Sequence, residues 1–426
     1  WFTTSQTDYG IDNQEAETVT YLDRWRLEVK DEDKEKFKNG ELVEPKKPIV
    51  YYLDPATPEK WRKYLKDGIE DWNVAFEAAG FKNAVIVKYP PSKDEDPDWS
   101  PEDVRYSTVR YVASTTRNAT GPSVSDPRTG EILESDIIWY HNHLRSYRNR
   151  YLLETGAANP KARTLNTPEE EIGEMMRRVI SHEIGHALGL PHNMKASSAY
   201  PVDSLRSGSF TQKFGIATTI MDYARYNYVA QPGDENIRFV RQLGPYDDYS
   251  IEWGYRFFNK SPEQEKDILK KFVDSKSLDP VYMFGGRGND PNSQTENIGD
   301  DPVKSSIYGI KNLKIVAENL KSLTIEPNEN YNELNELYGE LIGVYRRYMY
   351  HVLFLVGGIY DTPHNENQKD VYRYVNVDKS KQIEALRFLD TNLWATQNWL
   401  MKPELISQIR GEGVLNSIQA LQLQAL

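Results

Sequence analysis

The sequence predicts an α+β fold: a mixed, twisted sheet backed by one helix, then a second helix carrying a metal-binding motif, then a mainly helical region. Three observations lead there. Residues 182–193 read HEIGHALGLPHN. Upstream, short runs rich in β-branched and aromatic residues surround one strongly amphipathic helical stretch. Downstream of Phe258, apolar residues recur at steps of three and four in one segment after another.

Taken in order, residues 1–20 are polar and without period, which reads as a tail or linker. Residues 21–29 alternate as a strand, 30–40 mix acidic and basic residues as a solvated loop, and 48–53 (PIVYYL) form a short apolar strand. Thr57-Pro58 supplies an N-cap and a first-turn proline. From there Trp61, Leu65, Ile69, Trp72, Phe76 and Ala79 mark one face of a helix that packs on a sheet, and Gly80 ends it. Strands follow at 84–89 and 104–112, separated by a charged loop. Residues 121–125, the turn DPRTG at 126–130 and residues 131–140 read together as a hairpin.

Thr167-Pro168-Glu169 opens the next helix, and its stripe Ile172, Met175, Met176, Val179 and Ile180 runs straight into His182. Residues 193–219 show little periodicity and suit an irregular lower subdomain. A helix is expected at 245–258, and the character of the sequence changes beyond Phe258, so a first domain is drawn over 21–258. Residues 261–273, 302–323, 331–356, 380–400 and 404–423 read as amphipathic helices of a C-terminal extension over 259–426, with Leu334, Tyr338, Leu341, Tyr345, Tyr348 and Val352 as one stripe.

At 426 residues the chain exceeds one typical core, so two domains, or one domain with a large extension, are expected. A net charge of −12 argues against nucleic acid and against an anionic membrane as partners. The absence of cysteine excludes disulfides without fixing a compartment. The sequence opens on Trp with no signal-peptide pattern and reads as a processed or excised piece of a longer protein. Its longest apolar run, at 352–359, is too short to span a bilayer.

The chemistry concentrates at residues 182–193. His182 and His186 lie four apart, so on a helix both imidazoles leave one face a turn from each other. Glu183 then stands beside the ion without ligating it. Gly189 can take the left-handed conformation that stops a helix abruptly, and the turn returns His192 as a third nitrogen. Three neutral imidazoles with an open fourth position are the donor set of a catalytic zinc site, whereas structural sites are closed by four protein ligands, usually with cysteine. Zinc (Zn2+) is therefore the expected cofactor and Glu183 the expected general base.

These residues carry a resemblance. HEIGHALGLPH is similar to the zinc signature of the metzincin clan of metallopeptidases, and Thr219-Ile220-Met221-Asp222-Tyr223 resembles that clan's Met-turn. The runs DPRTGEIL, HEIGHALGLPHN, IMDYARYNYVAQPGD and GPYDDYSIEWGY resemble, more narrowly, a family of secreted or periplasmic zinc-dependent metalloproteases of Bacteroidota with a Met-zincin catalytic domain. The resemblance implies a metzincin-like zincin domain, peptide-bond hydrolysis, a polypeptide as substrate and an extracytoplasmic location. It implies that Met221 forms an apolar floor under the histidines. It also sets Tyr223 where some metzincins have a tyrosine that reaches the zinc or the oxyanion, although a purely structural hydroxyl is an equal reading. Finally, it places Gly121, Pro122, Ser123, Val124 and Ser125 on the cleft rim, where an extended substrate would add as a strand.

Other residues carry less. His141 and His143 alternate as a metal pair would on a strand, but nothing completes a site, so core or surface histidines are expected. His351 reads as a satisfied core residue. The oxygen-rich segment 290–301 has no calcium-loop spacing and reads as an acidic turn capping the helix that starts at Pro302. Two alternatives stand beside an endopeptidase: a zincin-like binding protein with an occluded cleft, and a zinc hydrolase of a non-peptide amide.

Overall fold

The computed structural model describes residues 1–8, 16–324, 330–366, 368, 371–409 and 415–425. They form two compact units. The first holds Trp1–Arg145, Gly173–His192 and Leu243–Val273; the second holds Ser146–Ile172, Asn193–Gln242 and Asp274–Leu426. This division differs from the expected cut at residue 258. Tyr200, Val202, Leu205, Ile216 and Val229, in a stretch without helical period, share a hydrophobic core with the C-terminal helices.

The first unit begins with an antiparallel pair, β1 (Thr3–Asp8) and β2 (Glu17–Leu22). The tail expected over 1–20 therefore carries two strands; residues 9–15 lie outside the described residues. Their pairing is polar, as in the contact of Ser5 Oγ with Thr20 Oγ1 at 3.1 Å, so no apolar period announced it. The strand expected at 21–29 ends at Leu22, beyond which Arg24 and Val29 make only isolated bridges.

The remaining strands of this unit are β3 (Ile49–Leu53), β4 (Val85–Lys88), β5 (Ser107–Val112), β6 (Ala119–Thr120), β7 (Ser123–Ser125), β8 (Ile132–Ser135) and β9 (Ile137–Tyr140). Five of them form a sheet in the order β4-β3-β5-β9-β6. The first four run parallel, and β6 closes the edge antiparallel to β9, with Ala119 opposite Trp139. Along β3, Ile49, Tyr51 and Leu53 are buried while Val50 and Tyr52 are half-buried, the alternation of a sheet covered mainly on one face.

The expected hairpin is split. β7 pairs with β8, but β9 leaves that ladder for the main sheet. The switch falls at Asp136, whose Oδ1 accepts from Thr108 N at 2.8 Å and Thr108 Oγ1 at 2.6 Å and so draws the chain onto β5.

The amphipathic stripe forms two consecutive helices, Glu59–Glu70 and Trp72–Ala78, with Trp61, Leu65, Ile69, Trp72 and Phe76 buried. Asn73 clamps them to β4, donating to Val85 O at 2.9 Å and accepting from Val85 N at 3.0 Å.

The second unit is mainly helical, as expected of the C-terminal residues. Pro302–Thr324 and Asn332–Leu353 pack on each other through Gly309, where a Cβ would meet the ring of Tyr348 at 2.5 Å. Every residue of the Leu334 to Val352 stripe is buried. The helix expected at 380–400 ends at Leu389, and residues 410–414 of the one expected at 404–423 lie outside the described residues. A two-stranded pair, Ile359–Asp361 with Tyr374–Asn376, was not foreseen. Nor was the helix His143–Thr155, whose apolar residues form no clean stripe because polar side chains on it are themselves engaged. Within this unit Arg148 pairs with Glu333 at 3.1 Å, and Arg150 with Glu154 and Glu296 at 2.6 and 2.8 Å. Among the described residues no helix is long and apolar enough to cross a membrane.

Candidate metal centre

The ligand helix, Glu169–Ala187, begins with three glutamates in its first turn, where the helix dipole favours negative charge. Its buried face includes Met175, Met176, Val179, Ile180 and Ile184. In the first unit the backing helices hold it closely. Trp72 Nε1 donates to Ser181 O at 2.8 Å, and Ser181 Oγ lies 2.7 Å from Gly68 O and 2.8 Å from Arg177 O. Asp71 takes both Arg177 (Nε, 2.8 Å) and Arg178 (Nη1, 3.1 Å). A Cβ at Gly68 would collide with Ile180 and the Arg177 carbonyl, so only glycine permits this approach.

The helix stops as the motif requires. Gly189 has φ of 101°, its N–H donates to His186 O at 2.9 Å, and Leu190 N donates to Gly185 O at 2.9 Å, the paired bonds of a Schellman cap. Two remaining carbonyls are satisfied by side chains: Trp25 Nε1 donates to Ala187 O at 2.9 Å and Tyr255 OH to Leu188 O at 2.8 Å.

His192 returns to the pair on the helix. Its Nε2 lies 3.1 Å from His186 Nε2 and 3.2 Å from His182 Nε2. The rings of His182 and His192 are stacked, with His186 edge-on to both. His186 Nδ1 lies 2.8 Å from Leu190 O, an oxygen that can only accept, so Nδ1 carries the proton and Nε2 presents its lone pair.

These residues fit a bound divalent ion. One proton can bridge at most one pair of nitrogens, so three gathered this closely have no common neutral partner. A tetrahedral ion with bonds near 2.0–2.1 Å sets its nitrogens about 3.3 Å apart, close to the observed separations. Among the described residues no other three histidine, cysteine or carboxylate groups are gathered in this way.

Glu183 is half-buried on the same turn of the helix. Gly121 runs against it: a Cβ there would stand 2.9 Å from Glu183 O and 3.6 Å from Glu183 Cβ. Of the expected rim 121–125, Ser123 and Val124 are exposed. Ser123–Ser125 is engaged with β8, Pro122 O accepts from Ser135 Oγ at 2.7 Å, and the antiparallel edge of the main sheet is Ala119–Thr120. Gly121, within the expected stretch, runs close to the ligand helix.

Residues 1 and 2, read from the sequence as tail, belong to the site's surroundings. Phe2 N donates to Gly189 O at 2.7 Å, and the Phe2 ring lies 5.8 Å from the His186 ring. The Trp1 indole occupies a slot left by Gly189 and Gly254, between Trp253 at 6.0 Å and Tyr255 at 5.6 Å. No sequence pattern pointed to them.

Met221 and Tyr223 belong to the second unit. Met221 is buried in a tight turn: its N–H donates to Thr219 Oγ1 at 3.0 Å and its carbonyl accepts from Asn193 N at 3.2 Å. Asp222 braces the turn, accepting from Ser197 N and Ala224 N at 2.8 Å each, and burial pushes its carboxyl up to about 7. No spacing or motif in the sequence marks Asp222 for this bracing role. The guanidinium carbons of Arg225 and Arg287 each lie 5.5 Å from the centre of the half-buried Tyr223 ring.

His141, past the end of β9, contacts Tyr111 OH through Nδ1 at 2.7 Å, and His143 packs on Trp139 at the start of a helix, so the two do not share a strand face. Buried His351 meets Thr295 O at 2.9 Å. In the segment 290–301, Asp301 caps the following helix through Lys304 N at 3.0 Å, while Asp290 is not a solvated acid but forms a buried ion pair with Lys195 at 2.7 Å.

No curated protein and no solved structure matches the chain. A family described as Met-zincin matches residues 164–426, from just before the ligand helix through the C-terminal helices. With that match covering more than half of its residues, and with the three histidines converging as the motif demands, the chain belongs to the Met-zincin family and carries a metzincin-clan zinc metallopeptidase domain.

Proposed function

We propose that the chain is a zinc-dependent endopeptidase acting on extended polypeptides. The convergence of His182, His186 and His192 beside Glu183 is the observation that carries this reading. Zinc held by the three imidazoles supplies a Lewis acid that polarises a carbonyl and lowers the pKa of water. Glu183 accepts the proton of the attacking water and passes it to the leaving amine. The bond from His186 Nδ1 to Leu190 O keeps that imidazole oriented and its tautomer fixed. The family resemblance supports Tyr223 as the hydroxyl donor to the oxyanion that develops on the scissile carbonyl.

Substrate adds as a strand to β6, the edge Ala119–Thr120, which is antiparallel to β9. Gly121 then carries the chain past Glu183 with no side chain in the way. The family resemblance supports a site of action outside the cytoplasm. An intact Glu183 favours hydrolysis over a pure binding role, because binding alone has no use for a base.

The test is a digest of a proteome-derived peptide library by wild type and Glu183→Gln side by side, with zinc measured on both. Cleavage by the wild type alone, at equal zinc content, is the expected result. Equal cleavage by both overturns the role of Glu183, and peptide binding without cleavage by either supports the binding-protein alternative.

A further inference from the structure

The main sheet of the first unit ends on one side at β4, and an edge strand presents a row of backbone groups on which another strand can add. Register decides which groups those are. β4 lies parallel to β3 with Ile49 opposite Val85, and Ile49 N donates to Ala84 O at 2.8 Å. Ala84 and Ile86 therefore turn their N–H and C=O groups towards β3, while Val85 and Val87 turn theirs away from the sheet.

Side chains of the two backing helices take three of those four outward groups. Asn73 donates from Nδ2 to Val85 O at 2.9 Å and accepts at Oδ1 from Val85 N at 3.0 Å, and Glu70 accepts at Oε1 from Val87 N at 3.2 Å. A carboxamide carries the same donor and acceptor as a peptide group, so Asn73 stands in for one residue of an absent strand. Glu70 is held in turn by Lys66, one helical turn earlier. Exposed Lys88 ends the strand, and a lysine is a further means of keeping an edge unpaired.

Without these side chains the edge is complementary to itself. Two β4 strands meeting antiparallel about a two-fold axis at Ile86 would set Val85 of each copy opposite Val87 of the other. Each such pair exchanges two hydrogen bonds, and the groups already bonded to β3 are left undisturbed. A hollow of about 400 Å³, lined in part by Glu70, Asn73, Val85 and Ile86, adjoins the edge and gives a strand access to it.

We propose that Asn73, assisted by Glu70, closes the β4 edge against pairing with a second copy of the chain.

Sedimentation of wild type and Asn73→Leu across a wide range of concentration tests it, together with hydrogen exchange at the Val85 amide. Asn73→Leu is expected to self-associate about tenfold more tightly than wild type. In dilute solution, where the edge is bare, its Val85 amide should exchange about tenfold faster, and the exchange should slow as copies pair. Adding Val85→Pro removes the outward donor without touching the ladder to β3, and should return the mass profile to that of wild type. Asn73→Ala, which takes away the carboxamide and places no new group, decides the matter by the same readouts if Asn73→Leu fails to melt cooperatively. A cooperatively melting variant that associates no more than wild type overturns the proposal. So does association that survives Val85→Pro, because it reports a different surface.

Discussion

Trp72 donates its indole N–H to the carbonyl oxygen of Ser181, the residue before His182, across 2.8 Å. Both residues are fully buried, and that carbonyl lies inside the ligand helix, so a backing helix fixes the metal-binding turn directly. Trp72→Phe keeps most of the apolar volume and removes the donor. It is expected to cost about 2 kcal/mol and to speed loss of zinc to a chelator. Denaturant melts and chelator-competition rates on the zinc-loaded protein check both.

Gly189→Ala strains the turn between the helix and His192. An alanine at φ of 101° is unfavourable by about 1–2 kcal/mol, and its Cβ would collide with the Asp23 carbonyl as well. Lower stability and weaker zinc binding should appear together. A variant that binds zinc as tightly as wild type would show that the Schellman cap does not set the position of His192.

Phe2 packs on His186 and its N–H holds Gly189 O, which makes the first residues of the chain part of the ligand framework. Phe2→Ala removes the ring and leaves the backbone bond. Faster zinc release, by up to about tenfold, is the expected outcome, read as the rate of transfer to a chromogenic chelator. An unchanged rate would confine Phe2 to a covering role.

Stability should fall in mild acid because of His351. Burial pushes its imidazole down from the ordinary 6.5 to about 4, with Arg347 and Arg150 acting in the same sense and Thr295 O and Glu296 opposing. Between those values the unfolded chain binds more protons than the native one. The contribution, about 3 kcal/mol, is therefore complete above pH 6.5 and lost as pH falls through 6.5 towards 4. His351→Gln, which keeps a donor for Thr295 O, should flatten the melting curve over that window, as thermal melts at stepped pH would reveal.

The parts of this molecule legible in the sequence are those governed by local pattern. The stripe from Trp61 to Phe76 and the Leu334 to Val352 face bury the residues that their spacing selects, and the run from Ile172 to Ile180 does so except at its half-buried first member. The spacing of His182, His186 and His192 sufficed for their convergence because helix geometry and one glycine turn determine it. What escaped depends on partners distant in sequence. β1 pairs with β2 through facing side chains that include polar Ser5 and Thr20, the chain leaves the hairpin at Asp136 because Thr108 waits on another strand, and half-buried Arg150 is met by Glu296 from far along the chain. The unit boundary escaped for the same reason: Tyr200 and Val229 carry no period, yet they join the core of the C-terminal helices.

His182, His186 and His192 are expected to hold one zinc ion and to leave one coordination position for water beside Glu183. X-ray absorption at the zinc edge, on protein of known metal content, tests it most directly. One zinc per chain with three imidazole nitrogens and one oxygen near 2.0 Å is expected, with loss of that signature in His192→Ala. A zinc closed by four protein ligands, or a signature that survives without His192, would contradict it.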